Sequence, residues 1–80
     1  MSFAFEVLYK PPPDSVKETR LTESIRRFGG RLDFREEPPA GGTGAIVLTY
    51  DFDDYELALK AAEEIRKDGG QIEGPYDYGS

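Results

Sequence analysis

Hydrophobic residues alternate with other residues along three stretches of the chain, and this pattern predicts β-strands. In Phe3–Tyr9, aromatic or aliphatic residues occupy every second position, which is the period of a strand with one buried face. Ala45–Tyr50 is the most apolar run of the chain and therefore predicts a central strand. Arg31–Glu37 alternates Leu32 and Phe34 with charged residues, which predicts an edge strand with both apolar side chains on one face.

Apolar residues at spacings of three and four predict two amphipathic helices, one after the first strand and one after the third. Capping-box patterns in Ser15–Glu18 and Asp53–Glu56 predict that the first residue of each pattern caps a helix. The pairs Gly29-Gly30 and Gly69-Gly70 predict the helix ends, because a left-handed residue after a helix is usually glycine. The predicted apolar faces consist of Val16, Leu21, Ile25 and Phe28 in the first helix, and Tyr55, Ala58, Leu59, Ala62 and Ile65 in the second.

The second half of the chain repeats the pattern of the first at a distance of 40 residues. Glu23–Asp33 matches Glu63–Glu73 at five of eleven positions, and Gln71–Glu73 predicts a short last strand. The match fits either a duplicated ancestor or two amphipathic helices that end in the same way. In both cases the element order is βαββαβ, which predicts the ferredoxin-like plait. This α+β fold has a four-stranded antiparallel sheet, in strand order 4-1-3-2, with two helices on one face.

The length of 80 residues predicts a single domain. We expect residues 1–80 to form one ferredoxin-like unit, with βαβ halves at about 1–37 and 43–74 and a tail at 75–80. The strand order places the two apolar strands in the centre of the sheet and the charged strands at its edges. Composition and topology therefore agree.

The composition excludes several kinds of functional site. The chain contains no Cys and no His, so it has no disulfide, no thiolate nucleophile, no imidazole base and no zinc site of the Cys/His kind. The longest strictly apolar stretch, Ala45–Leu48, is too short for a membrane span or a signal-peptide core. We therefore expect no cofactor, no metal ion, no membrane partner, a cytoplasmic location and no catalytic activity.

A short segment resembles a nucleic-acid-binding motif, but the residues that would bind are replaced. Thr43–Tyr50 resembles the frame of the third-strand motif of RNA recognition motif domains. The positions that stack bases in that family hold Ala45 and Val47, and the leading basic position holds Thr43. Ten Lys and Arg against sixteen Asp and Glu give a net charge of −6, which repels phosphate backbones. We therefore expect no nucleic-acid partner.

The predicted fold leaves one face of the sheet without helices, and this open face is the main candidate for function. The candidate interaction residues on it are Leu8, Ala45, Val47 and Thr49. Tyr76 and Tyr78 in the tail are further candidates, because tyrosines pack over a sheet or anchor a partner. We expect a protein-interaction module that binds a protein partner or a second copy of itself, through the open face or an edge strand.

Two other functions stay open on the sequence alone. A small-ligand-sensing regulatory domain, similar to ACT domains in architecture only, would bind its ligand at the Lys10–Asp14 loop and the start of the first helix. A small enzyme would need a polar cleft of carboxylates and Tyr at a dimer interface. The densest carboxylate cluster, Asp51–Glu56, lacks the glycine and the distal Glu of a calcium loop and is explained by helix capping.

Overall fold

The six predicted strands and helices are present in the predicted order. A computed structural model of the chain describes residues 2–39 and 41–77. The elements are β1 (Phe3–Tyr9), α1 (Ser15–Arg26), β2 (Arg31–Glu36), β3 (Ile46–Phe52), α2 (Tyr55–Lys67) and β4 (Gln71–Asp77). The last strand is longer than predicted, so residues 75–77 belong to β4 rather than to a tail.

The four strands form one antiparallel sheet in the order β2-β3-β1-β4. This is the predicted order 4-1-3-2 read from the opposite edge. Buried residues of both helices belong to the same core cluster, so α1 and α2 pack on one face of the sheet. The chain therefore has the ferredoxin-like βαββαβ arrangement that its sequence predicts.

The core lies between the helices and the two central strands. Alternate residues of β1 and β3 face the helices, which explains why these two strands are the most apolar ones. The ring of Phe5 lies 6.1 Å from that of Tyr50 and 5.2 Å from that of Phe52, measured between centroids. The buried side chains on this side of the sheet are Phe5, Val7, Ile25, Ile46, Leu48, Tyr50, Phe52, Ala58, Ala61, Ala62 and Ile65.

The residues that cap the two helices are neighbours of the predicted ones. Asp14, rather than Ser15, caps α1, where its carboxylate accepts a hydrogen bond of 3.0 Å from a first-turn N–H. Asp54, rather than Asp53, caps α2, where its carboxylate accepts from two N–H groups at 2.9 and 3.2 Å. The prediction is therefore wrong by one residue in both helices. Ser and Asp both suit an N-cap, and the path of the preceding loop decides which of two neighbours reaches the free N–H groups.

Both helices end in the same way, as their matching sequences predict. The backbone turns at Gly29 and Gly69, with φ of 86° and 88°. The N–H of the following glycine donates to the carbonyl of Ile25 at 3.1 Å in the first case and of Ile65 at 2.9 Å in the second. Glycine adopts this left-handed conformation without steric cost. The 40-residue repeat of the sequence therefore extends to the geometry of the helix ends.

Two residues of the predicted apolar helix faces are exposed to solvent to a considerable extent. Val16 is 59% exposed and Tyr55 is 43% exposed, whereas Ala61, which the pattern did not predict, is buried. Both exposed residues lie in the first turn of their helix. The apolar spacing identifies which side of a helix faces the sheet, but not how far along the helix this contact continues.

Candidate functional site

The face of the sheet opposite the helices is the open face, and several predicted interaction residues lie there together. Leu8 and Val47 are directly opposite each other in neighbouring strands, and Thr49 is opposite Glu6. All four are half-buried. Ala45, also half-buried, lies immediately before β3. The structure thus brings Leu8, Val47 and Thr49 into one surface, with Ala45 at its margin.

A β-bulge in β2 turns an aromatic side chain onto the open face. Leu32 pairs with Tyr50 and Phe34 pairs with Thr49, so Asp33 has no partner residue in β3. One extra residue reverses the alternation of faces beyond it. Leu32 therefore lies on the helix side, whereas Phe34 lies on the open face and is 57% exposed. The prediction that Leu32 and Phe34 share a face is wrong for this reason.

A second bulge, in β4, places Tyr76 on the open face. Tyr76 pairs with Ala4 beyond a register shift in which Gly74–Pro75 lies opposite a single residue of β1. Gly74 has φ of 106°, and a Cβ atom there would lie 3.1 Å from the carbonyl oxygen of Ala4, so this position requires glycine. Tyr76 is 48% exposed and belongs to a strand, not to the predicted tail. Tyr78, the other predicted tyrosine, lies outside the described residues.

Cross-strand pairing arranges the side chains of the open face in three rows that run from β2 to β4. The rows are Arg31, Asp51, Ala4 and Tyr76; then Phe34, Thr49, Glu6 and Glu73; then Glu36, Val47, Leu8 and Gln71. Large apolar or aromatic side chains occur in every row, and carboxylates occur beside them. The open face is therefore a mixed apolar and acidic surface. Sequence reasoning did not place Phe34 there, because no residue pattern within β2 reveals its bulge. Glu73 was also not named, although it lies on the open face by simple alternation with Ile72.

The charges of the open face are unevenly paired. Arg31 binds Asp51 at 2.8 Å and Asp53 at 3.2 Å. The guanidinium holds the pKa of Asp53 below its ordinary value, first by hydrogen bonding and then by its charge. Glu6 and Glu73 lie directly opposite each other in β1 and β4. Within residues 2–39 and 41–77, neither of these two carboxylates has an ion-pair or hydrogen-bond partner.

A polar cluster of Tyr9, Glu18 and Arg35 lies on the other side of the sheet and was missed by the sequence reasoning. The Glu18 carboxylate accepts hydrogen bonds from Arg35 Nε at 2.6 Å and Nη2 at 3.0 Å, and from the Tyr9 hydroxyl. The bulge in β2 explains the omission, because it moves Arg35 from the predicted solvent side to the helix side. The cluster therefore ties α1 to the ends of β1 and β2.

The electrostatics of this cluster indicate a structural rather than an acid–base role. Hydrogen bonds from Arg35 lower the pKa of Glu18, and burial raises the pKa of Tyr9. Both shifts move the groups away from neutral pH, whereas a general acid or base works best with a pKa near it. Both oxygens of Glu18 already accept hydrogen bonds from its own chain. The cluster therefore serves to position α1.

The aspartates of Asp51–Glu56 have structural partners within the chain. Asp51 and Asp53 bind Arg31, whereas Asp54 caps α2. Among the described residues, no group of three or more His, Cys, Asp or Glu side chains could hold a metal ion. Within the same part of the chain, neither helix combines the length and the apolar composition needed to cross a membrane.

A groove of about 500 Å³ lies between α1 and the C-terminal end of α2. Its lining includes Lys17 and Arg20 from α1, and Glu64 and Asp68 from the end of α2. The predicted ligand position at the start of α1 borders this groove, but Asp14 already accepts a hydrogen bond from the N–H of Lys17 there. A bound anion at that helix start would face the Asp14 carboxylate.

Comparison with known proteins adds no family assignment. No model of a protein family matches the chain, and no curated protein sequence matches it. The functional argument therefore depends on the geometry and charge of the surfaces described above.

Proposed function

We propose that this chain is a non-catalytic protein-interaction module that binds its partner on the open face of the sheet. The observation that carries the proposal is the pair of bulges, which place Phe34 and Tyr76 on the face without helices that also holds Leu8 and Val47. Two aromatic side chains that are 57% and 48% exposed on such a face are typical anchors of an interface. Packing within the chain thus leaves both residues partly accessible to a partner.

The geometry favours the open face over the edge strands as the binding surface. Each edge strand contains a bulge, and bulges interrupt the hydrogen-bonding pattern that another strand would need to join the sheet. In β4 the bulge also contains Pro75, which has no N–H to donate. Edge-to-edge pairing with a second chain is therefore opposed at both sides of the sheet.

A site-specific photo-crosslinker tests this function. We expect a crosslinking residue at position 34 to form one discrete adduct with a protein, and the same residue at position 16 to form none. Val16 is the matched control, because it is 59% exposed but lies on α1, away from the open face. Equal yields at the two positions, or no adduct at either, would contradict the proposal.

Self-association is the form of this function that the sequence predicts, and sedimentation velocity across a wide concentration range measures it. A homodimer through the open face requires that Phe34→Lys shifts the equilibrium to monomer, while Val16→Lys leaves it unchanged. A monomer at every concentration removes the homodimer but not a heterologous partner.

The cytoplasmic location expected from the sequence stays a prediction.

A small-ligand-sensing domain is the second candidate, and the groove between the helices is the observation that favours it. Its volume of about 500 Å³ lies within the range of small-molecule sites, roughly 300–1,000 Å³. A ligand that binds only the folded chain must raise its melting temperature. A thermal-shift screen of amino acids and nucleotides, repeated on Arg20→Ala, therefore tests it. A flat response across the screen counts against ligand sensing and leaves the interaction module untouched.

A further inference from the structure

The open face has an excess of negative charge that its own cations do not neutralise. Its three rows contain the carboxylates of Asp51, Glu6, Glu73 and Glu36 and one cation, Arg31. That cation is already bound to Asp51 and to Asp53. The carboxylates of Glu6, Glu73 and Glu36 therefore remain available to bind cations of a partner that covers the face.

The most informative pair is Glu6 and Glu73. They are direct cross-strand neighbours, which places their Cβ atoms about 5 Å apart. Like charges at this distance destabilise a sheet. A cation placed between them removes the repulsion and gains two charge-assisted hydrogen bonds. The free chain thus keeps an unfavourable contact at a position where a basic side chain would bind.

The two exposed aromatic rings lie on the same face as this carboxylate pair, Tyr76 near Glu73 and Phe34 two strands away from Glu6. Phe34 stands in the same row as Glu6 and Glu73, and Tyr76 stands in the adjacent row on the same strand as Glu73. A cation over an aromatic face is attracted by the ring quadrupole, and Arg and Lys also pack their aliphatic stems on apolar surface. Rings and carboxylates together suit the side chains of Arg and Lys.

The charge of the face suits a basic segment of polypeptide better than a second folded copy. A symmetric pairing of two open faces would bring the unpaired carboxylates of both copies together, which is costly when they are buried.

From these observations, and resting on the proposed function, we propose that the open face binds an Arg- or Lys-rich segment of a partner protein. The basic side chains bind Glu6 and Glu73, and the apolar residues of the segment pack on the two aromatic rings and on Leu8 and Val47 in the adjacent row. The partner is therefore defined by its chemistry, an extended basic stretch with apolar residues between its cations.

Fluorescence anisotropy with a labelled peptide tests this inference. An alternating Arg and Val peptide of about eight residues spans the face at about 3.3 Å per residue. We expect it to bind, and to bind more weakly as salt is added. The matching peptide with Glu in place of Arg is expected not to bind. Equal binding of the two peptides, or binding of neither, overturns the inference.

Two double variants separate recognition by this site from general attraction to an acidic protein. We expect Glu6→Gln with Glu73→Gln to weaken binding at least about tenfold, the loss of one charged contact or more. Glu23→Gln with Glu63→Gln removes the same charge from exposed positions of the two helical segments, and we expect less than about a twofold change. Equal losses in the two variants show unspecific attraction and overturn the site.

Two further measurements keep the result interpretable. Removing the repulsion between Glu6 and Glu73 does not destabilise the chain, so urea unfolding is expected to show that their double Gln variant folds at least as well as wild type. If the basic peptide does not bind but position 34 gives a discrete adduct, the basic segment is overturned and the interaction module remains. The same holds if the peptide does not bind but the chain forms a dimer that Phe34→Lys dissociates. Failure of the peptide and of the adduct removes both.

Discussion

The two helices begin and end alike but are attached to the sheet by different chemistry. Asp14 and Asp54, 40 residues apart, cap α1 and α2, and Gly29 and Gly69 end them with nearly the same φ. Between these ends the matching positions differ. Positions 58, 61 and 62 of α2 are alanines that are at most 1% exposed. Positions 18, 21 and 22 of α1, which correspond to them, are Glu, Leu and Thr.

The alanines let α2 approach the sheet closely, whereas α1 is held in part by polar contacts. Helix α2 packs near β1, β3 and β4, and α1 lies chiefly near β2. Glu18 binds Arg35 of β2, and the Thr22 hydroxyl lies 2.9 Å from that of Tyr50. Ile25 is the residue of α1 that is buried. The comparison shows that one local sequence pattern can specify a helix and its ends without specifying how the helix is attached.

The largest expected effect comes from placing in α2 the residue that α1 has at the matching position. Ala58→Glu places an unpaired carboxylate where the side chain is fully buried, and we expect it to destabilise the fold by about 4 kcal/mol. Circular dichroism during urea unfolding measures this. Lys60→Glu, at an exposed position of the same helix, is the control and is expected to change little. A well-folded Ala58→Glu variant would show that α2 is not closely packed.

Truncating the matching isoleucines sharpens the comparison. Ile25→Ala and Ile65→Ala are each expected to lower the unfolding free energy by about 3 kcal/mol, because these residues are 1% and 5% exposed. Their local effects should differ. In Ile25→Ala, the α1 amides should exchange through local opening that needs less free energy than global unfolding. In Ile65→Ala, the α2 amides should exchange only through global unfolding, because the alanines still hold the helix. Equal exchange patterns in the two variants would contradict a weaker attachment of α1.

Glu18 predicts a pH dependence that belongs to the first half of the molecule. Hydrogen bonds from Arg35 lower the folded-state pKa of Glu18 from its ordinary 4.5. The carboxylate therefore stabilises the fold above that value, and this contribution is lost as the pH falls through the folded-state pKa. We expect Glu18→Gln to cost about 1 kcal/mol near neutral pH and less near pH 3.

Urea unfolding at both pH values measures the difference between wild type and Glu18→Gln. The control is Glu23→Gln, at an exposed position of the same helix. A gap that stays constant with pH would show that the charge of Glu18 does not contribute.

The last comparison, which includes the smallest expected effect, tests where the second helix begins. Asp54→Ala removes an acceptor of two first-turn N–H groups, so we expect it to lower the unfolding free energy by about 1 kcal/mol. Asp53→Ala breaks only an exposed ion pair with Arg31, and its effect is expected to be smaller. Thermal unfolding of the two variants decides between them. A larger loss of stability in Asp53→Ala than in Asp54→Ala would instead support Asp53 as the N-cap, as the sequence predicts.

Only some residues of the candidate site could be placed on the open face from the sequence. Leu8 and Val47 could be assigned to the open face because they lie in the two central strands, which pair with each other without a register shift. Phe34 could not, because its position depends on the unpaired Asp33. Tyr76 was identified as a candidate, but its strand and its face depend on the register of β4 against β1.

Short-range patterns along the chain were enough to determine the order of the elements, the two central strands, the helix ends and the fold. These features follow from residue spacing and from glycine conformation, which involve only neighbours in sequence. Tertiary structure alone decided which Asp caps each helix, where the edge strands bulge and which residue binds Glu18. A bulge forms where one strand fits against another, so the faces of Phe34, Arg35 and Tyr76 depend on the partner strand. The acidic and aromatic open face is a product of that pairing.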